Sequence, residues 1–411
     1  MRIRIALALM AKARCARCRK RGEKNEKRIS AFCLALLCLV LAGGFASSIS
    51  TFAADNTQPV ANLVVFVNFA DDTDSVFTDA AVWSELKGQF EYDLLGKADI
   101  SFKKYISTIS NGMVQVTNYF PQENGTALTR ITLANNRSYY LGTGPESDYN
   151  LVHEAVLQAA ALPLPAAAEL DKNADGALDN LVIIVQGAGE GAFYPHKANY
   201  DGTDKIAGLY VDTYNVVDTA SLLDGLGKQG VLSHEFLHSL GFADLYRYTA
   251  PGRPVGGWDI MSQTGMFQQY PLTYFRYARG WLGTEIPTLQ AVQTGGSTHY
   301  TLQAVTAASG DRALKITTPL NDGEFFVLEY RQKNESIMTE DTFGFERKIP
   351  SSGLVVYRID NTVKPLLSNS SGQNYVYIFR PNTAENHAAA TEIISGSNGM
   401  SEVWNAAINP A

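Results

Sequence analysis

The chain has 411 residues, of which 34 are Lys or Arg and 41 are Asp or Glu. Eleven of the basic residues and two of the acidic ones fall within residues 1–53, so the other 23 basic and 39 acidic residues give the rest of the chain a net charge of −16. A surface this negative argues against nucleic acid or an anionic membrane as a partner. The length beyond residue 53 suffices for one large domain, or for a larger domain followed by a smaller one.

The first 53 residues are predicted to be a secretory signal peptide. A basic segment precedes an apolar run over residues 29–46, and the small residues Thr51, Ala53 and Ala54 favour cleavage near Ala53. The run is about long enough to cross a bilayer, so an uncleaved membrane anchor is the alternative. We expect a monomeric protein that is secreted or held at the cell surface, with no membrane contact once the signal peptide is removed.

All four cysteines lie within this leader, at Cys15, Cys18, Cys33 and Cys38. The mature chain would therefore contain no disulfide and no thiol. Because no covalent crosslink is possible, its stability outside the cell must come from core burial, from bound metal or from both.

Buried strands alternate with amphipathic helices through the first half of the mature chain. Runs of β-branched and aromatic residues predict strands at 61–69, 113–117 and 181–185. Apolar residues three or four positions apart predict helices at 83–94 and 151–162. This order predicts a mixed sheet that is backed by helices.

The pattern changes from about residue 284 to short segments of alternating hydrophobicity, separated by Gly, Asn and Ser turns. The predicted strands lie at 300–304, 313–317, 325–330, 354–359 and 375–379. Such spacing suggests a sandwich-like all-β domain. We therefore expect one domain over residues 54–283 and a β-rich C-terminal domain over residues 284–411, truncated if the chain is a fragment of a longer product.

An acidic loop precedes the third predicted strand. Its side-chain oxygens stand at positions one, three, five and nine around a glycine at position six, as at the opening of a calcium-binding loop. These residues are Asp171, Asn173, Asp175 and Asp179. Position twelve is Val182 instead of glutamate, so the loop is not a complete EF-hand. We expect a calcium site here, and the alternative is an Asx-rich turn that needs no ion.

The stretch from residue 230 to residue 244 carries the strongest chemical signal. On a helix, His234 and His238 would lie on one face about 5 to 6 Å apart at Cβ, so both imidazoles could reach one tetrahedral ion. Glu235 is offset around the helix and could act on water beside that ion. This is the HExxH arrangement of zinc peptidases. Two histidines that are solvated or hydrogen-bonded on a helix face are the alternative without metal.

Two further residues complete the predicted site. Gly241 stands where a left-handed helix cap is expected, which would let the chain turn sharply and bring Asp244 back to the ion. Two histidines and an aspartate supply three ligands and leave a fourth position for water, as in catalytic zinc sites. Zinc lowers the pKa of such a water to about 7, and Glu235 would take its proton and pass it to a leaving amine. A helix-exit aspartate with local hydrogen bonds is the alternative for Asp244.

A tight turn at residues 256–262 contains Met261. In the metzincin zinc peptidases, a methionine turn lies beneath the metal ligands, and the distance of Met261 from the HExxH helix matches that placement. A methionine is otherwise ordinary core packing.

These motifs resemble the immune inhibitor A family of secreted bacterial zinc metallopeptidases. The resemblance is carried by His-Glu-Phe-Leu-His-Ser-Leu-Gly-Phe-Ala-Asp-Leu-Tyr at 234–246 and by Gly-Trp-Asp-Ile-Met-Ser at 257–262, with weaker support between about residue 62 and about residue 380. It implies an α+β fold in which a zincin or metzincin-like catalytic domain over residues 54–283 holds zinc and calcium. It also implies endopeptidase action on extracellular proteins or peptides.

Two other functions stay open at this point. A secreted zinc amidase acting on cell-wall peptide would use the same metal chemistry. A non-catalytic surface binding protein could retain the fold, although the presence of Glu235 with all three predicted ligands argues against it. The residue that would stabilise an oxyanion is likewise open among Tyr246, Tyr270 and His196.

Overall fold

The computed structural model describes residues 2–6, 58–91, 101–142, 145–223, 228–248, 254–263, 269–291, 297–319, 323–332, 352–363, 369, 374–379 and 404–405. Apart from residues 2–6, the predicted signal peptide lies outside the described residues, as does the end of the helix predicted to reach residue 94. Among the described residues, no helix combines the length and the hydrophobicity that a membrane crossing needs.

Helices and strands alternate along the first half of the chain, and strands dominate the second half. The helices are α1 (Ala80–Phe90), α2 (Phe102–Ile109), α3 (Arg137–Tyr140), α4 (Pro145–Ala160), α5 (Ala167–Leu170), α6 (Thr219–Leu223), α7 (Lys228–Ser239) and α8 (Thr273–Ala278). The strands are β1 (Arg2–Ala6), β2 (Val60–Val67), β3 (Val116–Tyr119), β4 (Glu123–Asn124), β5 (Ala127–Leu128), β6 (Asn180–Val185), β7 (His196–Asn199), β8 (Lys205–Ile206), β9 (Leu209–Tyr210), β10 (Thr213–Asp218), β11 (Thr288–Gln290), β12 (Ser297–Thr301), β13 (Ala313–Thr317), β14 (Glu324–Arg331), β15 (Gly353–Asp360), β16 (Val376–Phe379) and β17 (Trp404–Asn405).

A five-stranded mixed sheet organises the first half, in the order β3-β2-β6-β10-β7. The first four strands run parallel, and β7 runs antiparallel to β10 at the edge. The helices and mixed sheets are compatible with the predicted α+β class. Helix α7, which carries the two histidines, packs against β10 and β7.

Both faces of this sheet are covered, which explains why its central strands are almost wholly apolar. Along β2, Val64 and Phe66 belong to one buried cluster, whereas Leu63, Val65 and Val67 belong to another on the opposite face. Successive side chains of a strand point to opposite faces, so a strand with two buried faces has no polar face to show.

The second sheet contains six strands, in the order β11-β13-β14-β15-β16, with β17 paired to β15. Four of its strands, β13 to β16, match predicted segments closely, whereas β12, the strand nearest the predicted segment 300–304, pairs with β1 outside this sheet. The predicted sandwich stays a prediction. One face of this sheet shares a hydrophobic cluster with α7 and with the first sheet, through residues such as Val327 and Tyr357. The N-terminal half of the chain therefore covers this face, while Leu302, Leu314 and Leu328 form a separate buried cluster on the other face. The division at residue 283 stays a prediction.

Several elements near the N-terminal sheet and the leader differ from the sequence-based expectation. The predicted strand at 113–117 begins only at Val116, because Asn111 and Gly112 adopt left-handed conformations, with φ of 53° and 78°, and form a turn. Strand β1, inside the predicted signal peptide, pairs antiparallel with β12.

Candidate metal centre

Helix α7 is held in the core by its apolar side. Leu232, Phe236 and Leu237 are fully buried, and the Phe236 ring meets Phe102 of α2 edge to face, with 4.9 Å between the ring centroids. Aromatic pairs in this geometry contribute beyond the area that they bury. Burial of this side fixes which face of α7 carries the histidines.

A buried amide also fastens α7 to the sheet. Asn215 of β10 is fully buried and donates from Nδ2 to the backbone carbonyl of Glu235 (3.0 Å) and to the hydroxyl of Ser239 (3.1 Å). The Glu235 carbonyl thus has a partner from outside the helix. The position of α7 relative to the sheet is therefore set by hydrogen bonds as well as by packing.

The helix ends in a Schellman motif centred on Gly241, which has φ of +80°. The Gly241 amide donates to the His238 carbonyl (2.9 Å), and the Phe242 amide donates to the Leu237 carbonyl (3.0 Å). Both bonds belong to the motif in which a left-handed residue reverses the chain, and glycine adopts that conformation without a Cβ penalty. The reversal brings Asp244 back towards the histidines.

The three predicted ligand atoms form a nearly equilateral triangle. His234 Nε2 lies 3.2 Å from His238 Nε2, and each of these nitrogens lies 3.2 Å from Asp244 Oδ1. A tetrahedral zinc with bonds of about 2.0–2.1 Å separates any two of its ligands by about 3.3–3.4 Å. The residues therefore fit zinc closely. Among the described residues, this is the group of three or more His, Cys, Asp or Glu side chains that could hold a metal ion.

Backbone carbonyls orient both imidazoles. His234 Nδ1 donates to the Ile260 carbonyl (3.0 Å), and His238 Nδ1 donates to the Phe242 carbonyl (2.7 Å). Because a carbonyl can only accept, each Nδ1 carries the hydrogen, and a neutral ring then presents a lone pair at Nε2. Two lone pairs and a carboxylate oxygen thus converge on one point, an arrangement that a cation or a proton must stabilise.

Tyr248 orients the third ligand. Its hydroxyl donates to Asp244 Oδ2, which leaves Oδ1 as the atom that faces the histidines. The Tyr248 ring also lies 5.2 Å from the ring of Tyr246, whose centroid is 6.3 Å from that of His234. The segment just after Asp244 therefore contacts the ligands through aromatic side chains.

The turn that contains Met261 supports two of the three ligands through its backbone. The Ile260 carbonyl accepts from His234, and the Met261 carbonyl accepts from the amide of Leu245, the residue after Asp244 (2.8 Å). The Met261 side chain is fully buried. The turn thus links His234 on α7 to the segment that carries Asp244.

A buried carboxylate holds this turn in place. Asp259 is fully buried and accepts from the amides of Met261 (2.8 Å) and Leu272 (2.7 Å). Burial raises the pKa of Asp259 to about 7, although both amides and the nearby Arg331 act to lower it. Asp259 therefore titrates near neutrality in the folded state.

The predicted ligands shift one another's pKa values. Burial acts to raise the pKa of Asp244, but the two imidazoles beside Oδ1 outweigh burial and hold that pKa well below its usual range. Burial acts to lower the pKa of His238, but the adjacent Asp244 carboxylate outweighs burial and raises the pKa overall. A positive charge at this point is thus favourable.

Glu235 lies beside the triangle and is only 6% exposed. Burial raises the pKa of its carboxyl above the usual value, whereas the two histidines act to lower it and Asp244 acts to raise it. A carboxyl with a raised pKa is suited to accept and return a proton near neutral pH.

No protein-family model matches the chain, and a search of curated proteins finds no match either. The argument for function therefore rests on the residues of the centre.

The three candidates for oxyanion stabilisation occupy different surroundings. Tyr246 lies next to His234, as described above. His196 donates from Nδ1 to the Tyr194 carbonyl (2.6 Å), and its charge is among those that act on the pKa of Glu235. Tyr270 is buried, with its ring centroid 4.9 Å from the guanidinium carbon of Arg276. Tyr246 thus borders the centre, whereas Tyr270 is a core residue.

The acidic loop at 171–179 has a different organisation. Asp171 accepts from the amides of Asp175 (3.1 Å) and Gly176 (3.0 Å), and Asp175 accepts from the amide of Ala177 (2.9 Å). Asp179 accepts from the amide of Ala61 on β2 (2.8 Å), and its pKa is raised chiefly by burial. Asn173 Nδ2 donates to Asp175 (2.8 Å). These carboxylates bind backbone amides, and calcium binding there stays a prediction.

Two supporting residues carry no motif signal of their own. Tyr248 follows Asp244 by four positions, a spacing that could have pointed to it. Asn215 belongs to a largely buried strand, and a buried amide of this kind is a weak signal for a structural contact.

Proposed function

We propose that this protein is a secreted zinc-dependent endopeptidase. The observation that carries the proposal is the triangle of His234 Nε2, His238 Nε2 and Asp244 Oδ1, with edges of 3.2 Å, beside the carboxyl of Glu235. Two nitrogens and one carboxylate oxygen are the ligand set of a catalytic zinc site that keeps one open position. Mg²⁺ and Ca²⁺ prefer all-oxygen ligands, so the donor set favours zinc.

His234, His238 and Asp244 would hold the zinc, and Tyr248 and the carbonyls of Ile260 and Phe242 would keep them in orientation. When bound there, zinc polarises the scissile carbonyl and makes a water acidic enough to be deprotonated near pH 7. The Glu235 carboxylate takes the proton from the attacking water as the new carbon–oxygen bond forms. It then gives that proton to the leaving amine nitrogen as the carbon–nitrogen bond breaks, and Glu235 is again ionised.

We also propose that the chain belongs to the immune inhibitor A family and has its metzincin-like catalytic domain. The features that support it are an HExxH helix, a glycine-centred reversal to an aspartate ligand, and a buried methionine turn that contacts both ligand segments. Extracellular proteins or peptides are the proposed substrates. Secretion is proposed from the leader sequence alone.

The test is to produce the protein by secretion from its full-length sequence, measure its bound zinc, and assay cleavage of unfolded protein with and without a chelator. Glu235→Gln keeps the shape of the side chain but removes the base, and we expect a loss of activity of at least about 100-fold with zinc content unchanged. Glu169→Gln, an exposed change on α5, is the matched control and should retain full activity.

Two outcomes would contradict the proposal. Wild-type protein that holds one zinc per chain but cleaves no protein substrate would remove the endopeptidase function, and cleavage of cell-wall peptide in its place would establish the amidase alternative. A Glu235→Gln variant as active as the wild type would remove the assigned base.

A further inference from the structure

The metal ligand Asp244 is held from an unexpected direction, the C-terminal third of the chain. Asn369 is fully buried, and its backbone amide donates to the Asp244 carbonyl (3.2 Å). Its side-chain Nδ2 donates to the carbonyl of Leu245 (2.8 Å). One residue, 125 positions along the chain from Asp244, thus binds two successive carbonyls of the ligand segment.

The same side chain binds the second sheet. Asn369 Nδ2 also donates to the carbonyl of Val376 on β16 (2.9 Å), and Asn369 Oδ1 accepts from the Val376 amide (2.9 Å). A buried primary amide that makes all these bonds has one favourable position, since any shift leaves a polar group without its partner. Asn369 therefore fixes the distance between β16 and the segment that carries Asp244.

Two further bonds tie the neighbourhood of Asp244 to the same strand region. Arg247 donates from Nη2 to Oδ1 of Asn374 (2.6 Å), and the Ile378 amide of β16 donates to the Pro254 carbonyl (3.0 Å). The contacts lie on both sides of the segment from Asp244 to Tyr248. Its position is thus set by the second sheet as well as by the cap at Gly241.

The methionine turn is braced by the second sheet too. Arg331 of β14 donates from Nη2 to the Trp258 carbonyl (3.3 Å) and pairs with Glu329 (2.7 Å), and both side chains are fully buried. Glu329 accepts from the Thr273 amide at the start of α8 (2.7 Å). The turn that orients His234 is therefore fixed against β14, while the Asp244 segment is fixed against β16.

We propose that Asn369 is a positioning residue for the metal ligand Asp244, and that the six-stranded sheet is thereby part of the metal centre. The inference rests on the proposed zinc function and extends it to a part of the chain that the ligand motifs do not reach. Partners that orient metal ligands typically change metal affinity by about 10-fold to 100-fold when they are removed.

The experiment compares zinc affinity in the full protein, measured by competition with a chromophoric chelator. Asn369→Ala should weaken zinc binding by about 10-fold or more. It should also alter the visible absorption spectrum of the Co²⁺-loaded protein, because the carboxylate ligand is displaced. Asn62→Ala is the matched control: Asn62 is a fully buried amide of β2 whose side chain bonds to Asn118 and Asn180, away from the ligands. It should lower the melting temperature and leave zinc affinity and the Co²⁺ spectrum unchanged.

Asn374→Ala provides a second, milder variant, because it removes only the acceptor for Arg247. It should weaken zinc binding by less than Asn369→Ala, and it carries the test if Asn369→Ala is recovered unfolded. Wild-type zinc affinity and a wild-type Co²⁺ spectrum in a folded Asn369→Ala protein would overturn the inference, as would unchanged affinity in Asn374→Ala when that variant carries the test. Wild-type protein that binds no zinc would overturn the proposed function itself, so the two failures are distinct.

Discussion

The candidate metal centre and the acidic loop at 171–179 both contain a high density of ligand-type side chains, yet they are organised in opposite ways. At the centre, atoms from three residues converge within 3.2 Å of one another and are oriented from behind by backbone carbonyls and by Tyr248. In the loop, carboxylates that are close in sequence bind nearby backbone amides. Ligand-type residues that are close together in the sequence therefore need not direct their ligand atoms to one point in space.

The contrast has a physical origin. The predicted ligands at the centre come from a helix and from a segment beyond a sharp reversal. His238 and Asp244 each have a partner four positions away, at Phe242 and Tyr248. Distant residues complete the support, because Ile260 orients His234 and Asn369 binds the Asp244 carbonyl. In the loop, Asp171 and Asp175 accept from amides within five positions, so local hydrogen bonds satisfy them first, and only Asp179 accepts from a distant amide, that of Ala61. Convergence requires tertiary support, and the supporting residues are the places where the comparison can be tested.

The largest expected effect is on zinc binding by Asp244→Ala. Loss of a ligand should weaken zinc binding by more than about 100-fold, beyond the range for residues that only orient ligands. Competition with a chelator measures it. Asp218→Ala is the matched control, since Asp218 is a buried carboxylate that caps α6 by accepting from Ser221 (2.8 Å). It should cost stability and leave zinc affinity intact, and an Asp244→Ala protein with wild-type affinity would place the third ligand elsewhere.

Tyr248→Phe should have the next largest effect. Without the hydroxyl, Asp244 Oδ2 loses the bond that keeps Oδ1 turned towards the histidines, and zinc affinity should fall by about 10-fold. The same chelator competition measures this change. Tyr139→Phe alters an exposed tyrosine of α3 and should change nothing. If Tyr248→Phe bound zinc as tightly as the wild type, the hydrogen bond from Tyr248 would not be needed to orient Asp244.

Asp259→Asn should change the pH dependence of stability. The unfolded carboxyl titrates near its usual value of 3.8 and the folded one near about 7, so between these pH values the folded state holds one more proton than the unfolded state. The free energy of unfolding should therefore fall as pH rises from about 4 to about 7, with a slope from this group of up to about 1.4 kcal/mol per pH unit. Denaturant unfolding across this range should show that component in the wild type and its loss in Asp259→Asn. Identical profiles for the two proteins would mean that Asp259 is ionised throughout.

Gly241→Ala and Gly176→Ala compare one left-handed glycine from each region, with φ of +80° and +89°. Each variant should lose about 1–2 kcal/mol of stability from backbone strain. Only Gly241→Ala should also weaken zinc binding, because an alanine strained at φ of +80° would shift the helix cap from which the chain turns to Asp244. Equal zinc affinity in the two variants would show that the turn does not position the ligand.

The smallest effect is expected from Asp175→Ala in the loop. If calcium binds there, the melting temperature of the wild type should rise with added calcium and that of Asp175→Ala should not, while zinc affinity stays unchanged in both. If the melting temperature of the wild type does not change with added calcium, the loop is a turn stabilised by its own hydrogen bonds and the calcium prediction is wrong.

Much of this structure could be predicted because it depends on local patterns. The strands at 181–185 and 313–317, the helix that carries His234 and His238, and the reversal at Gly241 each follow from residues within a few positions of one another. Local periodicity and cap chemistry are enough for such elements.

The supporting residues could not be predicted, because their roles depend on distant contacts. Nothing near Asn369 in the sequence indicates that it binds the carbonyl of Asp244, and nothing near Arg331 indicates that it binds the turn at Trp258. The expected sandwich stays a prediction for the same reason, since four of the predicted strands join one sheet within the described residues. Alternation shows that a sheet has a buried face, but it does not show which layer covers that face.

X-ray absorption at the zinc edge of the purified wild-type protein tests the central claim most directly. The account predicts one zinc per chain, bound by two imidazole nitrogens and by oxygen, at about 2.0–2.2 Å. Protein that retains no zinc, or zinc whose ligands include no imidazole, would contradict it.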